Sequence, residues 1–159
     1  MDGTATVSRL IDRGRQGAVI WPGEPPPIVR YPCKRERKSE DQEGMQLWRV
    51  VKLHERALPA LGLLTHVPNG GDRSAIVGGK LKAQGVRKGW PDYMLAVQTA
   101  TSTGLALELK AVDGAVEDQQ DKILRLLSAA GWRTVVAWGW EAAWEEIKRH
   151  AERAVWAPL

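Results

Sequence analysis

A chain of 159 residues and 17.6 kDa, with 43% hydrophobic and 26% charged residues, has the size and balance of one globular domain. Its apolar runs are a handful of residues long, far short of the roughly 20 that cross a bilayer, and no charged start leads into an apolar run and a cleavage site, so membrane and secreted classes are disfavoured. Cys33 is the sole cysteine, which rules out an internal disulfide and points to the cytoplasm (a host's cytoplasm for a phage-encoded chain), and a net charge of +4 admits a polyanionic partner without requiring one.

Residues 1–40 hold five of the nine prolines and eight basic against five acidic residues, with Lys34, Arg35, Arg37 and Lys38 bunched at the end. No helical or strand period runs through them, so they read as a flexible basic, Pro-rich arm, leaving 41–159 as the folded domain. From Glu43 the spacing of Leu47, Val50, Val51, His54, Leu58 and Leu61 predicts an amphipathic helix stopped by Pro59 and Gly62. A short strand over Leu63–Val67 follows and ends at Pro68-Asn69-Gly70-Gly71, which favours a turn. Between His66 and Trp90 the spacing suggests a long glycine-rich loop, with five basic residues against Asp72 alone.

Asp92–Val97 and Gly104–Lys110 read as two strands of an antiparallel hairpin. A helix is expected from about Glu117 to Ala130, with Asp118 as a candidate cap and Gly131 as its stop. Thr134–Trp138 reads as another strand, and a last amphipathic helix starts near Trp140, with Trp144, Ile147 and Ala151 on its apolar side. The order implies an α/β fold in which one mixed central sheet is flanked by helices.

Chemistry concentrates in Gly104–Lys110. Strand alternation puts Leu105, Leu107 and Leu109 on one face and Ala106, Glu108 and Lys110 on the other, so a carboxylate and an ammonium project together beside a small residue. Asp92, behind Pro91, starts the neighbouring strand, and hairpin pairing brings it toward Glu108. Two carboxylates at one spot repel unless a cation lies between them, and a hard ion such as Mg²⁺ resolves the conflict. Lys110 beside such an ion would orient or deprotonate a water, or stabilise charge on phosphorus. His66 has no second His or Cys at ligand spacing, so a packed strand histidine is expected and a zinc site is not. Of the eight tryptophans, Trp90 is the one placed to stack on an unpaired base, although core packing is its ordinary role.

Pro91-Asp92 followed by Glu108-Leu109-Lys110 resembles the bipartite motif of the PD-(D/E)xK nuclease superfamily. More narrowly, His66–Arg73 and the run from Gly79 through Lys88-Gly89-Trp90-Pro91-Asp92 resemble the VRR-nuc family, especially its small stand-alone phage-type members. The resemblance spans about Glu43 to Ala143. It implies a restriction-endonuclease-like core, with Asp92 and Glu108 as metal ligands, the Leu109 carbonyl as another, and Lys110 as the catalytic lysine. It also implies a glutamine on the following helix: Gln120 fits the inward face, and Gln119 competes. Glu117 stands where the family usually opens that helix with Ser or Thr. An acidic residue on the first helix is expected to complete the metal site, with Glu43 matching the pattern and Glu40 an alternative.

Asn69, Arg73, Lys80, Lys82 and Lys88 are the candidate DNA contacts, since they lie beside the proposed cleavage site. The resemblance implies a Mg²⁺- or Mn²⁺-dependent endodeoxyribonuclease, selective for branched DNA such as four-way (Holliday) junctions and acting as a homodimer. A non-cleaving nucleic-acid-binding module of the same fold, or a sequence-specific restriction-type endonuclease, are the competing readings.

Overall fold

A computed structural model describes residues 29–31, 38–68 and 75–155 of the chain. Its centre is a five-stranded mixed sheet: β1 (Val29–Tyr31), β2 (Leu64–His66), β3 (Tyr93–Leu95), β4 (Leu105–Lys110) and β5 (Arg133–Trp138), arranged β1-β5-β4-β3-β2. The pairs β1·β5 and β4·β5 are parallel, and β2·β3 and β3·β4 are antiparallel. Four α-helices accompany it: α1 (Glu40–His54), α2 (Ala75–Ala83), α3 (Asp118–Ala129) and α4 (Trp140–Glu152). This is the α/β arrangement expected from the order of elements.

The helix α1 begins with a reciprocal cap. Ser39 Oγ accepts from the Gln42 backbone N–H at 3.2 Å, and Gln42 Oε1 accepts from the Ser39 N–H at 3.0 Å, which satisfies two donors that a helix start leaves open. Leu47 and Val51, four residues apart, enter the core from this helix. The expected continuation to Leu61 does not occur. The helix stops at His54, and Pro59 opens a separate 3₁₀ turn (Pro59–Leu63) that buries Ala60 and Leu61 by reversing the chain.

Two further expectations change. Residues 1–40 are not wholly an arm outside the fold: Val29–Tyr31 pairs with Val135–Ala137 as the edge strand β1, and Glu40 belongs to α1. The segment 66–90 was to be one long loop, yet Ala75–Ala83 is helical, since Gly78 and Gly79 weaken a helix without forbidding it. The rest of the arm, Cys33 and the Lys34–Arg37 cluster included, lies outside the described residues.

All six residues of β4 are buried, because β3 and β5 flank it and helices cover both faces. Leu105, Leu107 and Leu109 join Leu47 and Val51 of α1 and Trp144, Ile147 and Ala151 of α4 in one apolar cluster. Leu124 of α3 is also fully buried but lies outside that cluster, as do Ala106 and Val136. Gly131 ends the α3 segment at φ +85°, a left-handed conformation that suits glycine. No helix among the described residues is long and apolar enough to cross a membrane.

Candidate active site

The hairpin register brings the two acids together. Tyr93 pairs with Leu107, so one step further along the ladder places Asp92 opposite Glu108. Asp92 Oδ2 then accepts from the Leu109 backbone N–H at 2.9 Å, which fixes the carboxylate at the exit of β4. On Glu108, Oε1 is shared by Lys110 Nζ at 2.8 Å and by Gln120 Nε2. Its other oxygen, Oε2, is buried and has no hydrogen-bond partner among the described residues. A buried, unmet carboxylate oxygen is costly unless something else completes it.

Electrostatics say the same. Burial, reinforced by the neighbouring Asp92 charge, pushes Glu108 up to about 7 despite the opposing Lys110 contact. Asp92 is also raised, by burial first, with the Leu109 hydrogen bond and Lys110 opposing. For Lys110 burial acts downward, but the hydrogen bond to Glu108 and the charges of Glu108, Glu40 and Asp92 outweigh it and leave the ammonium more firmly protonated than usual. Two acids are therefore held where both resist ionising, and the lysine between them cannot settle both.

Gln120 is the glutamine that reaches the site. Its Nε2 donates to Glu108, and its Oε1 accepts from the Glu117 backbone N–H at 2.9 Å, so one side chain both caps α3 and holds the acid. Glu117 thus takes the cap position of the missing Ser or Thr, in a reciprocal box with Gln120, and Asp118 is the first helical residue rather than the cap. Gln119 faces the chain before Pro91 instead: a Cβ on Gly89 (φ +84°) would stand 2.6 Å from Gln119 Cγ and 2.8 Å from its carbonyl oxygen.

On α1 the two glutamates separate. Glu40 Oε1 lies 3.4 Å from Lys110 Nζ and so joins the cluster. Glu43 is fully buried one turn later, and its Oε2 accepts from the Trp140 backbone N–H at 2.8 Å, at the start of α4, where a carboxylate meets the positive end of the helix dipole. Its Oε1 has no partner among the described residues.

Asp92 and Glu40 open onto a cavity of about 930 Å³, whose wall also includes Met45, Trp48, Arg49 and His66. Glu108 and Lys110 lie outside that wall. His66 is exposed rather than packed, with its ring tilted against Tyr93 at 5.2 Å between centroids. Tyr93 is pushed up to about 12 by burial and by the Asp92 charge, so its hydroxyl stays neutral. Lys80, Lys82 and Lys88 are exposed on α2 and the turn after it, while Asn69 and Arg73 lie outside the described residues. Glu40, given by the sequence as the alternative to Glu43, and Trp48, which no motif singled out, are both at the site. Both follow the same face of α1, a phase visible only once the direction of Leu47 and Val51 is known.

No three His, Cys, Asp or Glu side chains among the described residues form a group able to hold a metal by themselves. A Mg²⁺-type ion does not need three, since it takes one or two carboxylates and fills its remaining positions with water and phosphate oxygens. The orphaned Glu108 Oε2 and the two raised carboxyl pKa values fit such an ion.

The mixed sheet is flanked by helices in an α/β fold and carries an acidic pair and a lysine at its hairpin. A VRR_NUC domain protein of known structure superposes with a TM-score of 0.61 at 20% sequence identity, over 75% of this chain and 93% of that one. The chain thus has the VRR_NUC fold. No family model matches the sequence, and no curated protein matches it.

Proposed function

We propose that the chain is a divalent-metal-dependent DNA endonuclease that hydrolyses phosphodiester bonds at the exit of β4. The observation that carries this reading is the unpartnered, buried Oε2 of Glu108 opposite Asp92, an arrangement that stays unfavourable until a cation arrives. Asp92 and Glu108 would hold Mg²⁺ or Mn²⁺, with the Leu109 carbonyl as a further ligand on the family resemblance. When bound, the ion supplies a more acidic water and offsets charge developing on the phosphate.

The chain's own groups divide the remaining work. Gln120 and Lys110 both occupy Oε1 of Glu108 and so leave Oε2 for the ion. Lys110, with Nζ 2.8 Å from Glu108 and 3.4 Å from Glu40, is held where it would orient or deprotonate the attacking water or stabilise charge on the scissile phosphate. Glu40, through its ion pair with Lys110, is the acid of α1 nearest the reaction, while Glu43 fixes α1 against α4. Lys80, Lys82 and Lys88 would bind backbone phosphates and make affinity fall with salt.

Selectivity for branched DNA and a homodimer complete the reading. They are supported by the resemblance and by the need for two sites if opposing strands are cut symmetrically. The test is cleavage of a labelled four-way junction beside a matched linear duplex, in Mg²⁺, Mn²⁺ or EDTA, by wild type and Lys110→Ala. Metal-dependent cutting of the junction that Lys110→Ala abolishes while still binding is the expected result. Tight binding without cutting under any metal would make the chain a binding module, and equal cutting of the linear duplex at fixed positions would make it a sequence-specific enzyme.

A further inference from the structure

We propose that the cavity beside Asp92 is a subsite for an unpaired base of the DNA strand, with Trp48 as its stacking platform and Met45 as its neighbouring apolar wall. The inference deepens the nuclease reading and rests on it for the position of the cut. Trp48 and Met45 lie three residues apart on α1, so they are neighbours on one helix face. Leu47 and Val51 take that helix's core-facing side, and Trp48 is left 39% exposed and Met45 56% exposed. Packing does not require either to stand open, and a tryptophan is the side chain with most to gain from being covered.

The cavity they share suits a nucleotide. Its volume of about 930 Å³ lies toward the upper end of the roughly 300–1,000 Å³ typical of small-molecule sites. One part of its wall is acidic (Glu40, Asp41, Asp92), and another combines the two apolar side chains with Arg49. Arg49 has no ion-pair partner among the described residues, so it remains available to a phosphate. Glu40 and Trp48 are eight residues apart (48 − 40), which at 1.5 Å per residue is about 12 Å along the helix, or roughly three to four stacked nucleotides at 3.4 Å each. A strand whose phosphate sits at Asp92 therefore reaches the platform within a few nucleotides.

The occupant follows from this mixture. A purely apolar partner face would have to bury three carboxylates, which is unfavourable. A base inside a duplex is already stacked on both sides and cannot lie on an indole, whereas a base freed at a junction, flap or gap can. Trp90, the tryptophan that sequence position places nearest to Asp92, is not part of the cavity wall.

The experiment measures binding of a short single strand, a gapped duplex and an intact duplex by fluorescence anisotropy. Ca²⁺ replaces Mg²⁺ so that binding is read apart from cleavage, and the proteins are wild type, Trp48→Ala and Trp48→Tyr. Loss of one base–aromatic stack predicts that Trp48→Ala weakens the single strand and the gapped duplex about tenfold or more, that the intact duplex changes less than about twofold, and that Trp48→Tyr retains most of the affinity. Equal weakening on all three DNAs, no weakening, or the same loss in Trp48→Tyr would overturn the proposal. So would a change of oligomeric state in Trp48→Ala by sedimentation, which would make the platform a contact between two copies of the chain. The parent reading fails separately: if wild type cuts no DNA in Mg²⁺ or Mn²⁺ while the Trp48 preference persists, the subsite stands and the nuclease does not.

Discussion

Two fully buried glutamates in this fold are treated in opposite ways. Glu146 on α4 is 1% exposed, and each of its oxygens meets a guanidinium: Oε2 that of Arg133, Oε1 that of Arg149. Next to it, His150 is buried and donates its Nε2–H to Val97 O at 2.8 Å, and burial keeps its imidazole below its ordinary pKa. Glu108 on β4 is as deeply buried, yet it crowds Lys110 and Gln120 onto one oxygen and leaves the other unmet beside a second acid. An unmet oxygen alone does not set Glu108 apart, since the architectural Glu43 also leaves Oε1 unmet; what distinguishes Glu108 is that its unmet oxygen lies beside a second acid and a lysine.

That contrast can be broken by substitution, and the largest effects fall on the incomplete site. Asp92→Asn should lower junction cleavage by at least about 10³-fold, the scale set by losing a preorganised charged group at a reacting centre, with far-ultraviolet circular dichroism unchanged; retention of most activity would place the chemistry elsewhere. Glu146→Ala should act on stability instead. It leaves two arginines that water reaches, with side chains 29% and 44% exposed, and so costs only about 1–2 kcal/mol, read as a lowered denaturant midpoint, while cleavage per folded molecule stays within about twofold of wild type. If Glu146→Ala lost activity without losing stability, the division between the two glutamates would be wrong.

Smaller effects sharpen the comparison. Gln120→Leu should slow cleavage about 10- to 100-fold and weaken Mg²⁺ binding, as expected for a group that orients a metal ligand. The pH dependence of the metal-free protein supplies the finest test. Glu108 titrates near 7 when folded against 4.5 when free, so the folded state keeps a proton the unfolded state has released, and stability contributed at this site falls as pH rises from 4.5 to 7 and is then level. Glu108→Gln should therefore raise the Tm at pH 8 by about 3 °C or more and leave it nearly unchanged at pH 4. Added Mg²⁺ should stabilise wild type at pH 8 and not the variant.

How much of this could be read from the residues follows from the range of the interactions involved. The Asp92–Glu108 pairing was legible because two-residue alternation and the antiparallel pairing of consecutive strands are local rules, and Gln120 because helical phase relative to Leu124 is local too. The edge strand β1 was not, since three residues gain strand structure only by pairing with a partner about a hundred positions away, Val29 with Val135. The helix α2 hid behind two consecutive glycines. The choice between Glu40 and Glu43 turned on where α4 begins, because the Trp140 N–H takes Glu43 out of contention for Lys110's side of α1. No pattern within α1 carries that information.

The placement of β4 has a consequence for motion. Flanked by strands on both sides and buried along all six residues, its amides should exchange with deuterium only when the whole domain opens, whereas α2, exposed from Val77 to Lys80, should exchange by local fraying. Glu108 and Lys110 thus sit on an element that opens last, and Lys80 and Lys82 on one that opens early. A DNA strand bound at both would tie the exposed α2 to the rigid centre of the sheet, so protection of the α2 amides from exchange would report DNA binding directly.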